Sequence, residues 1–159
     1  MRPMRRQDRE VTDPEKINAV IDACTHCRLG FCDQGRAYVV PVNFGHAVEN
    51  GRHVFYFHSA PEGRKIDLIR ASGRACVELD TDYRLLRAET ACGHTAAFRS
   101  VIGEGPIVIL EDLEAKRRAL SLLMAHTAGS DDWTFPEAAL KAVCVYQLTA
   151  EELSCKEHL

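Results

Sequence analysis

The sequence predicts a mainly β domain with flanking helices, its strands arranged as a small antiparallel barrel. Three observations carry that expectation. Runs rich in β-branched and aromatic residues recur along the chain between turn residues, as at 37–44, 53–58, 98–110 and 143–148. Asn50-Gly51 stands just before one of these runs and is a hairpin signal, because both residues tolerate the positive φ of a tight turn. Helical patterns are scattered among the strands, which argues against a doubly wound parallel sheet.

At 159 residues the chain reads as one domain over 1–159, long enough to bury a core. Residues 1–11 read as a flexible arm and 150–159 as a tail. A net charge of -3 gives no broad cationic field, so nucleic acid is not an expected partner. No apolar run approaches the length that crosses a bilayer, and no membrane association is expected. The N-terminus carries no hydrophobic signal region. The cysteine count of seven is odd, and six of them (Cys24, Cys27, Cys32, Cys76, Cys92 and Cys144) sit in or beside apolar runs. Reduced, buried thiols fit that pattern better than a disulfide framework, and the expected compartment is the cytoplasm.

The first helix starts at Thr12-Asp13-Pro14-Glu15, which matches a capping box between Thr12 and Glu15 with Pro14 in the first turn. Ile17, Val20, Ile21 and Cys24 follow at helical spacing, and the helix is expected to end near Cys27. A short strand over 28–32 turns at Asp33-Gln34-Gly35-Arg36 into 37–44. Pro41 cannot donate to a ladder, so that strand belongs at a sheet edge or a bulge. The strand at 53–58 leads to a short helix over 65–71, closed by Ser72-Gly73. Residues 74–80 return as a strand with Ala75, Val77 and Leu79 on one face.

The stretch 81–97 has no clear period. A long strand over 98–110 contains Gly103 and Gly105-Pro106, which predict a bulge or sharp bend. Asp112 caps a second long helix carrying Leu113, Lys116, Leu120, Leu123 and Met124. A loop at 128–133 precedes a brief helix opened by Pro136, and 143–148 is the last expected strand.

The chemistry centres on 54–66, where an aromatic strand runs through His58 and Ser59 to Gly63-Arg64-Lys65 at a helix start. Unpaired N–H groups and the positive end of the helix dipole welcome an anion there. A phosphate pocket beside an aromatic wall is one reading, and a solvated helix start is the other. Arg99 and Ser100 lie inside a strand, where a charged side chain is costly. Period-two alternation sends them to opposite faces, so one ligand meets both only if the strand bends or a second subunit contributes.

Cys24-Thr25-His26-Cys27 with Cys32 invites a zinc reading, but no second Cys-x-x-Cys pair follows, Cys92 and His94 would complete the set only by a coincidence of folding, and no metal is expected. No nucleophile elbow, phosphate loop, dinucleotide fingerprint or His-Glu-x-x-His occurs. Trp133, the only tryptophan, covers a flat ligand, lines a subunit seam or anchors its own loop.

Six fragments then occur in order: Cys27-Arg28-Leu29-Gly30, Val40-Pro41-Val42-Asn43-Phe44, Tyr56-Phe57-His58-Ser59-Ala60, Gly63-Arg64-Lys65, Thr81-Asp82-Tyr83 and Phe98-Arg99-Ser100-Val101-Ile102-Gly103. That succession resembles the pyridoxamine 5'-phosphate oxidase-like flavoproteins, most closely their 5-nitroimidazole-resistance (Nim-like) branch. The resemblance runs from about Arg5 to about Leu148.

The resemblance implies a split antiparallel β-barrel that binds FMN at the interface of a homodimer. On the matching positions, Pro41, Val42, Asn43 and Phe44 would line the isoalloxazine ring, and Phe57, His58 and Ser59 would continue that wall. Lys65, with Arg64 nearby, would meet the phosphate, and Arg99 and Ser100 would complete the site. His58 falls where Nim-like proteins place their active-site histidine. A flat apolar slot, donors for the ring edge and a cationic end are what FMN requires, and a dimer would cover open barrel edges.

The expected function is an FMN-dependent oxidoreductase that reduces a small-molecule acceptor, a nitroaromatic such as a 5-nitroimidazole being one candidate. His58 would be catalytic, donating a proton or orienting the acceptor. Two alternatives stay open: a flavin-binding protein without turnover, and a haem-binding protein with His58 or His94 as axial ligand.

Overall fold

The structure is a computed structural model that describes residues 4–159; of the arm expected over 1–11, residues 1–3 lie outside it. After a 3-10 turn at Gln7–Arg9 come strand β1 (Glu10–Val11) and helix α1 (Pro14–Ala23). The cap of α1 is Asp13, not Thr12: its carboxylate accepts from the Glu15 amide at 3.0 Å. The helix stops at Ala23 rather than near Cys27, because Cys24 is extended and Cys27 is already paired with Val42 in the sheet. Tertiary pairing overrides the helical spacing that ran through Cys24.

β2 (Cys27–Asp33) and β3 (Arg36–Val42) form a hairpin, turned by Gln34 and Gly35 at positive φ. β4 (Gly45–Glu49) and β5 (Arg52–Ser59) form a second hairpin, with Asn50 and Gly51 at φ 51 and 77°. α2 (Arg64–Ser72) ends on left-handed Gly73. β6 (Arg74–Leu86) and β7 (Thr95–Leu110) are the two longest strands. α3 (Leu113–Ala128), capped by Asp112 at 2.8 Å to the Ala115 amide, and α4 (Glu137–Ala142) lead to β8 (Cys144–Thr149). The residues expected as a tail form β9 (Glu152–His158) instead, paired to both β1 and β7.

Every pairing is antiparallel, and the strand path runs β3-β2-β6-β7-β8-β5-β4. β3 and β4 close the path at either end without pairing to each other, which makes this a split antiparallel barrel. Pro41 therefore sits on an edge strand, where its missing N–H is tolerated. β7 holds the architecture together by changing partner: it pairs β9 through Phe98–Glu104, then β8 from Ile107 to Leu110. Gly105 lies at that change, and a Cβ there would stand 2.0 Å from the Thr149 carbonyl oxygen, so only glycine fits.

The unreadable stretch after Thr81 has a cause. β6 is bulged between Thr81 and Arg84, with Asp82 at φ 58°, so the alternation slips. The core has two compartments. Leu29, Phe55, Phe57, Val77, Leu79 and Tyr146 fill the barrel, while Val54, Tyr56, Ala119, Leu120, Leu140 and Val145 seal α3 and α4 to its outside. Among the cysteines, Cys24, Cys27, Cys144 and Cys155 are buried and free, but Cys32 and Cys92 are exposed.

Candidate functional site

β5 alternates cleanly: Phe55 and Phe57 point into the barrel, Val54 and Tyr56 outward beneath α3 and α4. His58 follows the outward set. It pairs with Val145 and forms part of a cleft of ≈ 250 Å³ with Leu120, Met124, Phe135, Leu140 and Val143. Burial, then the nearby Lys65 ammonium, hold the His58 pKa below its ordinary value, so the ring is neutral near pH 7. A neutral imidazole offers one donor and one acceptor.

Ser59 takes the opposite face, across from Cys144, and its hydroxyl donates to the Ala60 carbonyl at 2.8 Å. Beneath it the Tyr146 ring stacks on Phe57 with centroids 5.4 Å apart. The Tyr146 hydroxyl is buried without a hydrogen-bond partner, and burial pushes its pKa up. Ser59 is close enough to oppose that shift, but its own proton is committed to Ala60.

α2 begins at Gly63, at φ 129°, and no side chain caps it. The Ile66 and Asp67 amides donate to the Gly63 carbonyl, at 2.9 and 3.1 Å, which leaves the Arg64 and Lys65 amides to face an anion. Arg64 is engaged elsewhere: its Nη2 lies 2.7 Å from Asp33 Oδ2, and its guanidinium stands 4.4 Å over the Tyr38 ring. Lys65 is half-buried and enters no ion pair or hydrogen bond among the described residues. Tyr38 and Asp33 had no functional signal in the sequence, since a turn aspartate and a strand tyrosine are common anywhere.

The other sequence-predicted residues lie apart from this group. Pro41 and Asn43 are exposed, and Val42 is half-buried against the barrel core. Phe44 is fully buried, 4.2 Å from the His126 ring and 6.1 Å from Phe55 between centroids. Phe57 is equally buried, so neither ring reaches the surface of this chain. Asn43 opens instead onto a polar cleft with Asp22, Thr25, His126 and Thr127 at the ends of α1 and α3.

Arg99 is ion-paired with Asp82 at the β6 bulge, and Ser100 on the other face registers with Asp80 and Lys156. Both sit near the start of β7, whereas its last residue, Leu110, pairs with Val145, the partner of His58. One chain therefore gathers His58, Ser59, Arg64 and Lys65 but does not bring Arg99 and Ser100 to them.

Trp133 is half-exposed, and its indole N–H donates to the Ser130 carbonyl at 2.9 Å, which anchors its loop. His94 bonds the Thr90 carbonyl through Nδ1 on the exposed β6–β7 connection. The Cys24 and Cys27 thiols donate to the carbonyls of Val20 and Val42, and the described residues contain no group of three or more side chains placed to hold a metal ion.

Residues 13–157 match the family model described as pyridoxamine 5'-phosphate oxidase. Among solved structures, the chain is similar to a candidate 5-nitroimidazole antibiotic resistance protein from Bacteroides thetaiotaomicron, with 28% identity and TM-score 0.80, covering 93% of this chain and 86% of that one. The flavocytochrome Anf3 from Azotobacter vinelandii gives 22% identity and TM-score 0.81, over 99% of this chain and 72% of that one. An FAD and haem binding protein from Mycobacterium smegmatis gives 17% identity and TM-score 0.79, over 94% and 73%. No curated protein matches the chain.

Proposed function

The chain belongs to the pyridoxamine 5'-phosphate oxidase family, and on that premise we propose that it is an FMN-dependent oxidoreductase reducing a small acceptor, with nitroaromatics among the candidates. The observation that carries this reading is the unpaired Lys65 at the uncapped start of α2, beside the cleft that His58 lines. That donor set suits a flavin mononucleotide: a cation and free N–H groups for the phosphate, with a polar strand end and an apolar wall next to it.

When bound, the flavin supplies the two-electron chemistry. Lys65 and the α2 amides hold the phosphate, and Ser59 offers a hydroxyl to the cofactor once it leaves Ala60. His58, neutral at working pH, donates a hydrogen bond from its ring N–H to the acceptor and so stabilises charge that develops there. Pro41 and Val42 of the edge strand, and Asn43 just after it, would flank the ring, with Phe44 packed behind them. Arg99 and Ser100 would reach the same cofactor from a partner subunit, a reading supported by their standing at the other end of β7 within one chain. Homodimerisation also covers the open edge at β3.

The test is anaerobic single turnover. Protein loaded with reduced FMN is mixed with a nitroaromatic, and reoxidation is followed by absorbance. His58→Ala is expected to keep its flavin and slow reoxidation by about 100-fold, the scale of one lost hydrogen-bond donor to developing charge. An unchanged rate removes His58 from the mechanism, and no reoxidation in the unaltered protein removes the reductase reading.

A further inference from the structure

The cleft at His58 has a composition of its own. Leu120 and Leu140 are buried in the outer core, Phe135 and Val143 pack against it, and Met124 completes the apolar lining. Among the described residues that line it, His58 is the only polar side chain. Charged groups are expensive against such walls, whereas an uncharged ring loses little on entering. An apolar cavity of about 150 Å³ accommodates benzene, so an open cleft of ≈ 250 Å³ has room for one ring with a substituent. The one polar side chain sets orientation: an oxygen on the ring can accept from the His58 N–H, and nothing else in the lining competes for it.

We propose that the cleft between β5, α3 and α4 is a second ligand site, which binds an uncharged single-ring aromatic molecule with its oxygen substituent on His58. That this molecule is also the electron acceptor rests on the function proposed above; that it binds does not. Met124, Phe135 and Ala139 are then the residues that set its size.

The chain has three methionines, Met1, Met4 and Met124, so methyl-labelled methionine reports the site directly, with Met124→Leu identifying the signal. Acetophenone titrated into the flavin-loaded protein is expected to shift the Met124 methyl resonance saturably, with a dissociation constant of about 1 mM or tighter. Ala139 is exposed on α4, so Ala139→Phe fills the cleft without disturbing the core and is expected to weaken binding at least about 10-fold. His58→Leu is expected to weaken acetophenone by about 3- to 10-fold while leaving ethylbenzene unchanged. An absent or non-saturating shift, binding indifferent to Ala139→Phe, benzoate bound as tightly as acetophenone, or competition by FMN itself would each overturn the proposal. Loss of FMN binding with acetophenone binding intact counts against the proposed function alone, and the reverse counts against this site alone.

Discussion

Asp33 holds the Arg64 guanidinium, with 2.7 Å between Oδ2 and Nη2, over the face of Tyr38. The ion pair ties the start of α2 to the β2–β3 turn. It also separates two adjacent basic residues: Arg64 anchors the helix start, whereas Lys65 enters no ion pair or hydrogen bond among the described residues.

Lys65→Ala is expected to weaken FMN by about 10- to 100-fold, the range of a lost charge-assisted hydrogen bond. Riboflavin, which lacks the phosphate, is expected to bind both proteins alike. Arg64→Ala, which removes an exposed pair, is expected to cost FMN less than about 5-fold. Fluorescence titration of both ligands distinguishes these outcomes, and equal losses for riboflavin and FMN would show that Lys65 does not meet a phosphate.

A site shared between subunits has a complementation signature. Lys65→Ala and Arg99→Ala homodimers each carry two damaged sites, but a mixed dimer pairs both changes in one site and leaves the other intact. Random reassortment makes about half of the dimers mixed, so about a quarter of the sites regain full FMN affinity. If mixing restores none, Lys65 and Arg99 do not face each other across an interface.

Gly105→Ala puts a methyl group 2.0 Å from the Thr149 carbonyl oxygen, a backbone atom with no rotamer to yield. The strand must shift where β7 changes partner, and a loss of at least about 2 kcal/mol is expected. Urea denaturation measures it. A midpoint close to that of the unaltered protein would mean that the β7–β8 junction is looser than it looks.

His46 and His53 share a hydrogen bond of 2.9 Å, and burial holds both pKa values below the ordinary value, so both rings are neutral near pH 7. Burial, with His53 and His126 nearby, pushes the His46 pKa down to about 4. The unfolded chain takes up a proton near pH 6.5 that the folded chain refuses until about pH 4, so stability falls as pH drops through that window. The contribution is about 3 kcal/mol at most. His46→Asn is expected to flatten the dependence of the urea midpoint on pH between 6.5 and 4, and an equally steep profile would place the acid sensitivity elsewhere.

Much of the fold was legible because its signals are local. Pro41 marked an edge strand, Asn50-Gly51 a hairpin, Asp112 a helix cap and Gly73 a helix end, each through the backbone chemistry of one or two residues. What was hidden depends on distant partners. Residues 152–158 become a strand only because β7 and β1 flank them, and α1 ends early only because Cys27 has Val42 to pair with.

The site divides the same way. The cation at the start of α2 could be read from Gly63-Arg64-Lys65, but which base was free could not, since Asp33 lies a whole hairpin away. Phe57, His58 and Ser59 read as one wall, yet period two puts Phe57 and Ser59 on the face opposite His58. That alternation was hidden in Val54-Phe55-Tyr56-Phe57, where every residue is buried and no polar position marks the change of side.

The claim on which the rest depends is that two copies of this chain hold FMN between them. Titration of the purified protein with FMN, with its solution mass read by sedimentation in the same samples, tests it most directly. The expected result is a dimer that binds one FMN per chain with quenched flavin fluorescence; a monomer that leaves FMN fluorescence untouched would contradict it.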